Sequence, residues 1–358
     1  MSVPKFSEKE MKVVDKKKTM FGEVDMYDFP CSVREASESL YKKHEPVWQF
    51  TGNEYKTFAP RINPDNIARG MVFDCKPFDP DTEGGGKDMF GVEWEYIKQV
   101  RGSMVRPGKP MLEDMNDWEK VLVWPDIDAW DWKNSSEYNK PFFDDGVPVK
   151  AWLQNGFFER IISLMEFEGA IMALIDEDQQ DAVHAFLTKL SDMYVDIFDH
   201  YCYYYPQVDI FYIHDDWGAQ KDTFFSPDVV REMIVPYMRK VTDFIHSKGK
   251  IADFHSCGKI EKQVPNMIAA GWDSWAGQPM NDTAKLYDMY GDKIIIGVYP
   301  DYDVDDSTPE QQREEARKYA ARFCRKDKPC LVPGMAFKML TPAFCEELYR
   351  QSRMAFSK

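Results

Sequence analysis

A histidine and a cysteine stand two residues apart at the end of an apolar run that begins at Ile251. The run reaches His255 and Cys257, and Gly258 then breaks it. If the run is a β-strand, positions two apart share a face, so the imidazole and the thiol would project together from its carboxyl end. Imidazole and thiolate are borderline-soft ligands that suit zinc. The pair alone is equally compatible with a core histidine beside a small buried cysteine, because a zinc site needs at least three protein ligands.

Three polar residues in succession end another apolar run, which begins at Val208. Here His214, Asp215 and Asp216 follow one another, and Trp217 and Gly218 come next. Titratable groups with perturbed pKa values cluster at such strand ends in enzymes. We therefore predict that these three residues are catalytic, supplying or orienting a proton. The alternative is that one acid caps the following loop while the histidine packs inside.

Further candidates could line a substrate pocket, which usually combines apolar walls with few polar groups. Two of them end a short apolar run, one lies in an alternating acidic and aromatic segment, and the others lie at or near later strand ends. Most aromatic residues of such a chain nevertheless belong to the core. The predicted substrate-binding residues are Asn53, Glu54, Glu93, Trp152, Gln154, Asn155, Phe158 and Trp275.

The elements that would carry these residues alternate regularly between strand and helix from Val149 to the C-terminus. This alternation predicts a parallel sheet with right-handed crossovers, and a count of about eight strands favours a closed barrel. The predicted fold class is therefore α/β, a single (β/α)8 TIM-type barrel. We expect an N-terminal extension over residues 1–45, a barrel over residues 46–358, and an inserted cover over residues 57–146 on the carboxyl face of the barrel.

Composition limits the classes of partner. The 358 residues carry a formal net charge of −16, which argues against nucleic acid or an anionic membrane as a partner. The first 18 residues are charged and polar, and no apolar run reaches the roughly 18 residues of a membrane span. Seven cysteines at irregular spacing do not form a secreted disulfide framework. These features predict a cytoplasmic protein with reduced thiols.

The order of these motifs resembles the uroporphyrinogen decarboxylase superfamily. The resemblance rests on the strand-end acids after His214, the helix start at Ser226-Pro227, the His255-Ser-Cys257-Gly258 turn and the late Pro333-Gly334. It extends over most of the chain from Pro46. True decarboxylases carry an arginine-rich segment after the Pro-Val-Trp strand to hold the carboxylates of the substrate. Here the segment reads Gln-Phe-Thr-Gly-Asn-Glu, without arginine, so decarboxylation is the least favoured activity.

Within that superfamily, the chain is similar to the corrinoid-dependent O-demethylase methyltransferases. The Asn53-Glu54 turn, the stretch from Phe58 to Gly70 and the segment Gly91–Trp94 carry this similarity. It implies methyl transfer from a methoxylated aromatic compound to the Co(I) corrinoid of a separate corrinoid protein.

The alternative is a zinc-dependent methylcobamide:thiol methyltransferase. Such enzymes hold zinc by His-x-Cys and by a cysteine that follows the final Pro-Gly. Here Met335 occupies that last position, and Cys330 is offset by an odd number of residues, which places it on the opposite strand face. We therefore expect zinc at His255 and Cys257, with any further ligand coming from an acid such as Glu93 or Asp215.

Overall fold

The computed structural model describes residues 4–19, 22–143 and 145–357, and the chain divides into two compact units. The first unit comprises residues 1–56, 146–148 and 273–358, and the second comprises residues 57–145 and 149–272. The division into an extension and a barrel, which the sequence suggested, stays a prediction. None of the helices in the described ranges is both long and apolar enough to cross a membrane.

The first unit opens with a hairpin and a helix. Strands β1 (Val13–Thr19) and β2 (Gly22–Tyr27) pair in antiparallel fashion, which the sequence analysis did not foresee. Helix α1 (Val33–Lys43) follows the hairpin. It begins there because Ser32 forms a capping box: its hydroxyl accepts the Glu35 N–H at 3.2 Å, and the Glu35 carboxylate accepts the Ser32 N–H at 3.0 Å.

The second unit begins with the predicted cover, which is built from short elements. Strands β4, β5 and β6 form an antiparallel sheet of three strands. The elements of this part of the chain are β3 (Lys56–Phe58), α2 (Pro64–Ala68), α3 (Pro80–Glu83), β4 (Gly86–Lys87), β5 (Glu93–Ile97), β6 (Gly102–Val105), α4 (Trp118–Val121) and α5 (Trp132–Asn139).

Three parallel strands with helical connections form the rest of the second unit. The elements are β7 (Val149–Leu153), α6 (Phe157–Ile175), α7 (Gln180–Tyr204), β8 (Val208–His214), α8 (Pro227–Met233), α9 (Val235–Ser247), β9 (Ile251–His255) and α10 (Val264–Ala269). Strand β8 lies between β7 and β9, with Trp152 beside Tyr212 and His214 beside His255. The carboxyl ends of β8 and β9 therefore bring the residues at His214 and those at His255 together.

The helical segment that starts after Ser226 is divided in two. Helix α8 ends at Met233 and helix α9 begins at Val235, with Ile234 outside helical geometry between them. The cause is Pro236, which has no N–H to donate to the carbonyl four residues earlier and whose ring crowds that carbonyl. Helix α8 begins as predicted, because the Ser226 hydroxyl accepts the Val229 N–H at 3.3 Å.

The first unit resumes with strand-helix alternation after residue 272. Its elements are β10 (Ser274–Trp275), α11 (Thr283–Tyr290), β11 (Ile295–Ile296), α12 (Pro309–Phe323) and α13 (Pro342–Phe356). Strands β10 and β11 are parallel, and Leu331 continues the order through a parallel bridge to Gly297. Val332 then donates its N–H to the Phe50 carbonyl at 2.8 Å. The segments 46–50 and 329–334 thus lie side by side without forming full ladders, because prolines flank both.

Candidate active site

Four potential metal ligands meet at the ends of strands β8 and β9. Each of His214, Asp216, His255 and Cys257 offers one ligand atom, and these atoms lie within 4.8 Å of one another. His255 Nε2 lies 3.2 Å from Cys257 Sγ, and His214 Nε2 lies 3.5 Å from Asp216 Oδ1. The two imidazole rings are stacked, with centroids 5.2 Å apart and planes 20° apart. We call these four residues the ligand group.

Backbone contacts between the two strand ends hold the ligand group in place. The Asp215 N–H donates to the His255 carbonyl at 3.0 Å, which continues the parallel ladder past His214. The Cys257 N–H donates to Asp216 Oδ1 at 2.6 Å, and the Trp217 N–H donates to Ser256 Oγ at 2.9 Å. The loop after β8 and the loop after β9 therefore fix each other. These contacts keep His214 and Asp216 at a constant distance from His255 and Cys257.

The chemistry and spacing of the ligand group fit zinc. Two imidazoles, one thiol and one carboxylate are the ligand types that zinc takes in proteins. Bonds of about 2.0–2.3 Å place the ligand atoms of a tetrahedral zinc roughly 3.5 Å apart, close to the two distances seen here. His214 and Asp216, expected from the sequence to handle a proton, occupy the positions for which Glu93 or Asp215 had been suggested.

Glu159, in the first turn of α6, orients His214. Its Oε2 lies 3.3 Å from His214 Nδ1 and 2.9 Å from Arg69 Nη1. Burial by itself would raise the pKa of Glu159, but the charges of Arg69 and His214 bring that pKa down to about 2. Since the carboxylate accepts the Nδ1 proton, Nε2 is the nitrogen directed at the ligand group, the arrangement usual for metal-bound histidines.

The two histidines differ in charge. Burial disfavours the charged form of His214, but Glu159 and Asp216 outweigh it and hold the pKa of His214 well above its usual range. Burial, together with the neighbouring charge of His214, lowers the pKa of His255 to about 4. His255 is therefore neutral at physiological pH and already in the form that binds a metal. Burial also raises the pKa of the Cys257 thiol, although a hydrogen bond from His214 opposes that rise.

Asp215 lies at this strand end, but its carboxylate binds the N-terminus of helix α6 and not the ligand group. Its oxygens accept the N–H groups of Phe158 at 3.2 Å and Glu159 at 2.8 Å and the indole N–H of Trp217 at 2.9 Å. Burial raises its pKa to about 7 despite these donors. A Cβ atom on Gly156 would lie 2.4 Å from the Cβ of Asp215, so only glycine fits there. Asp215 thus caps α6 and places Glu159.

Of the predicted pocket residues in the second unit, only some lie beside the ligand group. Trp152 stacks on Tyr212 at 4.8 Å, and Tyr212 stacks on His255 at 5.9 Å, so an aromatic wall leads to the ligand group. Gln154, the first residue after β7, is buried. Asn155 donates to Asp65 of the cover at 3.0 Å, and Glu93 is exposed on β5 within the cover. Phe158 packs instead on Phe225, in the segment before α8, at 4.8 Å.

The remaining candidates belong to the first unit. The Glu54 carboxylate accepts the Thr51 N–H at 3.0 Å and so closes the turn after Phe50, and the Asn53 carbonyl accepts from Lys17 at 3.4 Å. Trp275 is fully buried in β10. The Cys330 thiol lies 3.8 Å from the Tyr319 hydroxyl and is no member of the ligand group, as its strand offset indicated.

Sequence reasoning missed three residues that the structure brings to this site. Tyr212 stands two residues before His214 on the same strand, so strict alternation would have placed it on the same face. Glu159 had a weaker signal, an acid in the first turn of a helix that follows a strand end. Arg69 had none, because it reaches the site from a helix of the cover.

Comparison with known families and structures supports this fold. Residues 158–335, just under half of the chain, match the family described as uroporphyrinogen decarboxylase (URO-D). No curated protein matches the chain. A solved methyltransferase from Methanosarcina mazei is similar with a TM-score of 0.54 and 13% identity, over 90% of this chain and 84% of that chain. A solved B12-independent methionine synthase from Shewanella sp. W3-18-1 gives a TM-score of 0.41 and 13% identity, over 99% of this chain and 94% of that chain.

The family match and the M. mazei structure together support a place in the URO-D-like superfamily. The predicted fold class, an α/β barrel of the TIM type, is confirmed. The matched range begins at Phe158 and contains Glu159 and all four members of the ligand group.

Proposed function

We propose that this protein is a methyltransferase that moves a methyl group from a methoxylated aromatic compound to the Co(I) corrinoid of a separate corrinoid protein. The observation that carries the proposal is the ligand group, set at the end of an aromatic wall formed by Trp152 and Tyr212. The superfamily match and the similarity to O-demethylases at Asn53-Glu54 and Gly91–Trp94 support it.

The chemical difficulty in such a transfer lies in the leaving group. Co(I) is already a strong nucleophile, whereas an aryl methyl ether must release a phenolate. As the oxygen–methyl bond breaks and the cobalt–methyl bond forms, negative charge develops on the ether oxygen, and it needs a proton donor, a hydrogen bond or a Lewis acid. Zinc held by His214, Asp216, His255 and Cys257 would supply the Lewis acid.

The chain itself supplies orientation and shielding. Glu159 fixes the nitrogen that His214 presents, and Asp215 fixes Glu159 through the first turn of α6. Tyr212 is stacked between Trp152 and His255, so the exposed edges of these rings form the apolar wall against which an aromatic substrate can pack. Such positioning of the ether beside the group that stabilises its charge is worth several orders of magnitude in rate.

Zinc binding is tested by metal analysis of the purified protein. We expect one zinc per chain, removed by a strong chelator, and a large loss of zinc in Cys257→Ser because a hydroxyl is a poor substitute for a thiolate ligand. Cys202→Ser, a half-buried thiol outside the ligand group, is the matched control. Stoichiometric zinc that survives Cys257→Ser would contradict the assignment.

The reaction is tested by mixing the protein with a reduced corrinoid protein and a panel of methoxyarenes. The expected result is a spectral change from Co(I) to methyl-Co(III) with at least one methoxyarene. No change with any methoxyarene, together with turnover of methyl-cobamide and a thiol, would replace the proposal by its alternative. That second candidate, a zinc-dependent methylcobamide:thiol methyltransferase, is favoured by the His255–Cys257 pair, which matches two ligands of that group of enzymes.

A further inference from the structure

A basic segment, residues 98–109, lies in an otherwise acidic protein. It contains four lysines and arginines and no acid, whereas the whole chain has a formal net charge of −16. The segment comprises the turn after β5, strand β6 and the loop that follows. Strand β5 adds two acids, Glu93 and Glu95, so four cations and two acids leave residues 93–109 with a net charge of +2. We call residues 93–109 the basic hairpin.

Three cations of the basic hairpin lack an acid partner. Lys98 lies 3.7 Å from Asp81 in an exposed ion pair. Arg101, Arg106 and Lys109 are exposed, and they form no ion pair within the described ranges of the chain. Isolated cations without a partner also occur elsewhere, but here three share nine residues. Such a concentration of one charge is complementary to an acidic surface and attracts it before contact.

Two aliphatic side chains are exposed among these cations. Val100 is 73% exposed and Met104 is 49% exposed. Met104 shares the outer face of the sheet with Glu95, its partner in register, while Trp94 is buried on the opposite face. Protein interfaces combine apolar contacts of this kind with complementary charges around them. The outer face of the basic hairpin therefore has the composition of a protein-binding surface.

The inner face of the basic hairpin is attached to the candidate active site. The Arg69 guanidinium lies over the Trp94 ring, 5.2 Å from its centroid, and Arg69 pairs with Glu159 at 2.9 Å. The Gly108 N–H donates to Glu166 Oε1 at 2.5 Å, and Glu166 lies on α6 together with Glu159. A protein bound to the outer face would therefore be held beside the helix that contacts the ligand group.

We propose that the basic hairpin is the docking surface for an acid-rich face of the corrinoid protein. This inference rests on the proposed function, which requires a separate protein to bring its cobalt to the substrate. A second copy of this chain fits the surface poorly, because a two-fold contact through the hairpin would set cations against cations. Nucleic acid fits it poorly as well, because the net charge of −16 repels an extended polyanion.

Binding to the corrinoid protein of the reaction assay, loaded with hydroxocobalamin and fluorescently labelled, tests the inference without turnover. The hairpin variant is Arg101→Glu/Arg106→Glu/Lys109→Glu. The control makes the same change in net charge at three exposed lysines elsewhere, as Lys133→Glu/Lys285→Glu/Lys293→Glu. We expect the dissociation constant from fluorescence anisotropy to rise about tenfold or more in the hairpin variant and to stay near the wild-type value in the control. Equal weakening in both would refute a specific role for the hairpin.

A milder variant, Arg101→Gln/Arg106→Gln/Lys109→Gln, keeps the test valid if circular dichroism shows that the reversed variant is misfolded. It should bind the corrinoid protein severalfold more weakly than the wild type. Added salt should weaken wild-type binding more than it weakens binding by this variant, because salt screens charges that the variant no longer has. Unchanged affinity in the folded variants would overturn the inference, and so would equally tight binding of the wild type to a short DNA duplex.

Methyl transfer to reduced cobalamin without a protein separates docking from chemistry. The hairpin variant should keep the wild-type rate with this acceptor, yet need more corrinoid protein for its half-maximal rate. An equal loss with both acceptors would place the effect in the chemistry and overturn the inference. Transfer from methoxyarenes with unaltered protein binding would sink this inference and keep the proposed function. Binding that depends on the hairpin, without transfer from any methoxyarene, would sink the proposed function and keep the docking surface.

Discussion

At the scale of single residues, Glu159 determines what His214 can do. Its buried carboxylate is shared between His214 Nδ1 and Arg69, both of which are half-buried. A neutral imidazole carries its proton on either nitrogen, and only the form protonated at Nδ1 leaves Nε2 free for a metal. Because the pKa of His214 is raised, its imidazole must release the Nε2 proton when a metal binds. The Glu159 carboxylate keeps the Nδ1 proton in place and makes Nε2 a better donor of electrons to the metal.

Glu159→Gln should therefore weaken zinc binding by about 10- to 100-fold, the usual effect of losing a partner of a metal-bound histidine. Competition with a chromophoric chelator at fixed pH measures the affinity. Glu168→Gln, an exposed acid on the same helix, serves as the control and should keep the wild-type affinity. Equal affinities in the two variants would show that Glu159 does not act on the metal through His214.

At the scale of elements, the first turn of helix α6 joins the strands to the cover. Glu159 faces His214, and the next residue, Arg160, forms ion pairs with Asp65 and Asp88 of the cover. The side chains of Arg160, Asp65 and Asp88 are all fully buried. Asp88 also accepts the N–H groups of Phe90 and Val92 at 2.9 and 3.0 Å, so it fixes the turn that leads into β5.

Arg160→Met should destabilise the protein by about 3–5 kcal/mol, because it leaves two buried carboxylates without their cation. Urea unfolding followed by circular dichroism measures the loss. Arg239→Met removes an exposed ion pair with Asp243 on α9 and should have a much smaller effect. A similar loss in both variants would mean that the buried pairs add nothing beyond an ordinary surface contact.

At the scale of the whole molecule, the sequence predicted the elements better than the contacts between them. Helix α1 and the strands carrying His214 and His255 could be predicted because capping residues and apolar periodicity are local signals. The pairing of β8 with β9, which joins two predicted groups into one, is a contact between distant residues. So is the salt bridge from Arg69 to Glu159, 90 residues apart in sequence. Local periodicity carries no information on such contacts.

The adjacency of Glu159 and Arg160 also has a thermodynamic consequence, since one helical turn carries both the partner of His214 in the ligand group and the residue that pairs with Asp65 and Asp88 of the cover. If zinc orders Glu159 through His214, it must also stabilise the contacts of Arg160, and an ordered cover must then raise zinc affinity by the same factor. Amide hydrogen exchange of residues 57–143 should accordingly slow on zinc addition. Arg160→Met should weaken zinc binding, and the fold loss of affinity should equal the factor by which zinc slows exchange in the wild-type protein. Exchange that is unaffected by zinc would show that zinc binding beside Glu159 and the ordering of the cover around Arg160 are independent.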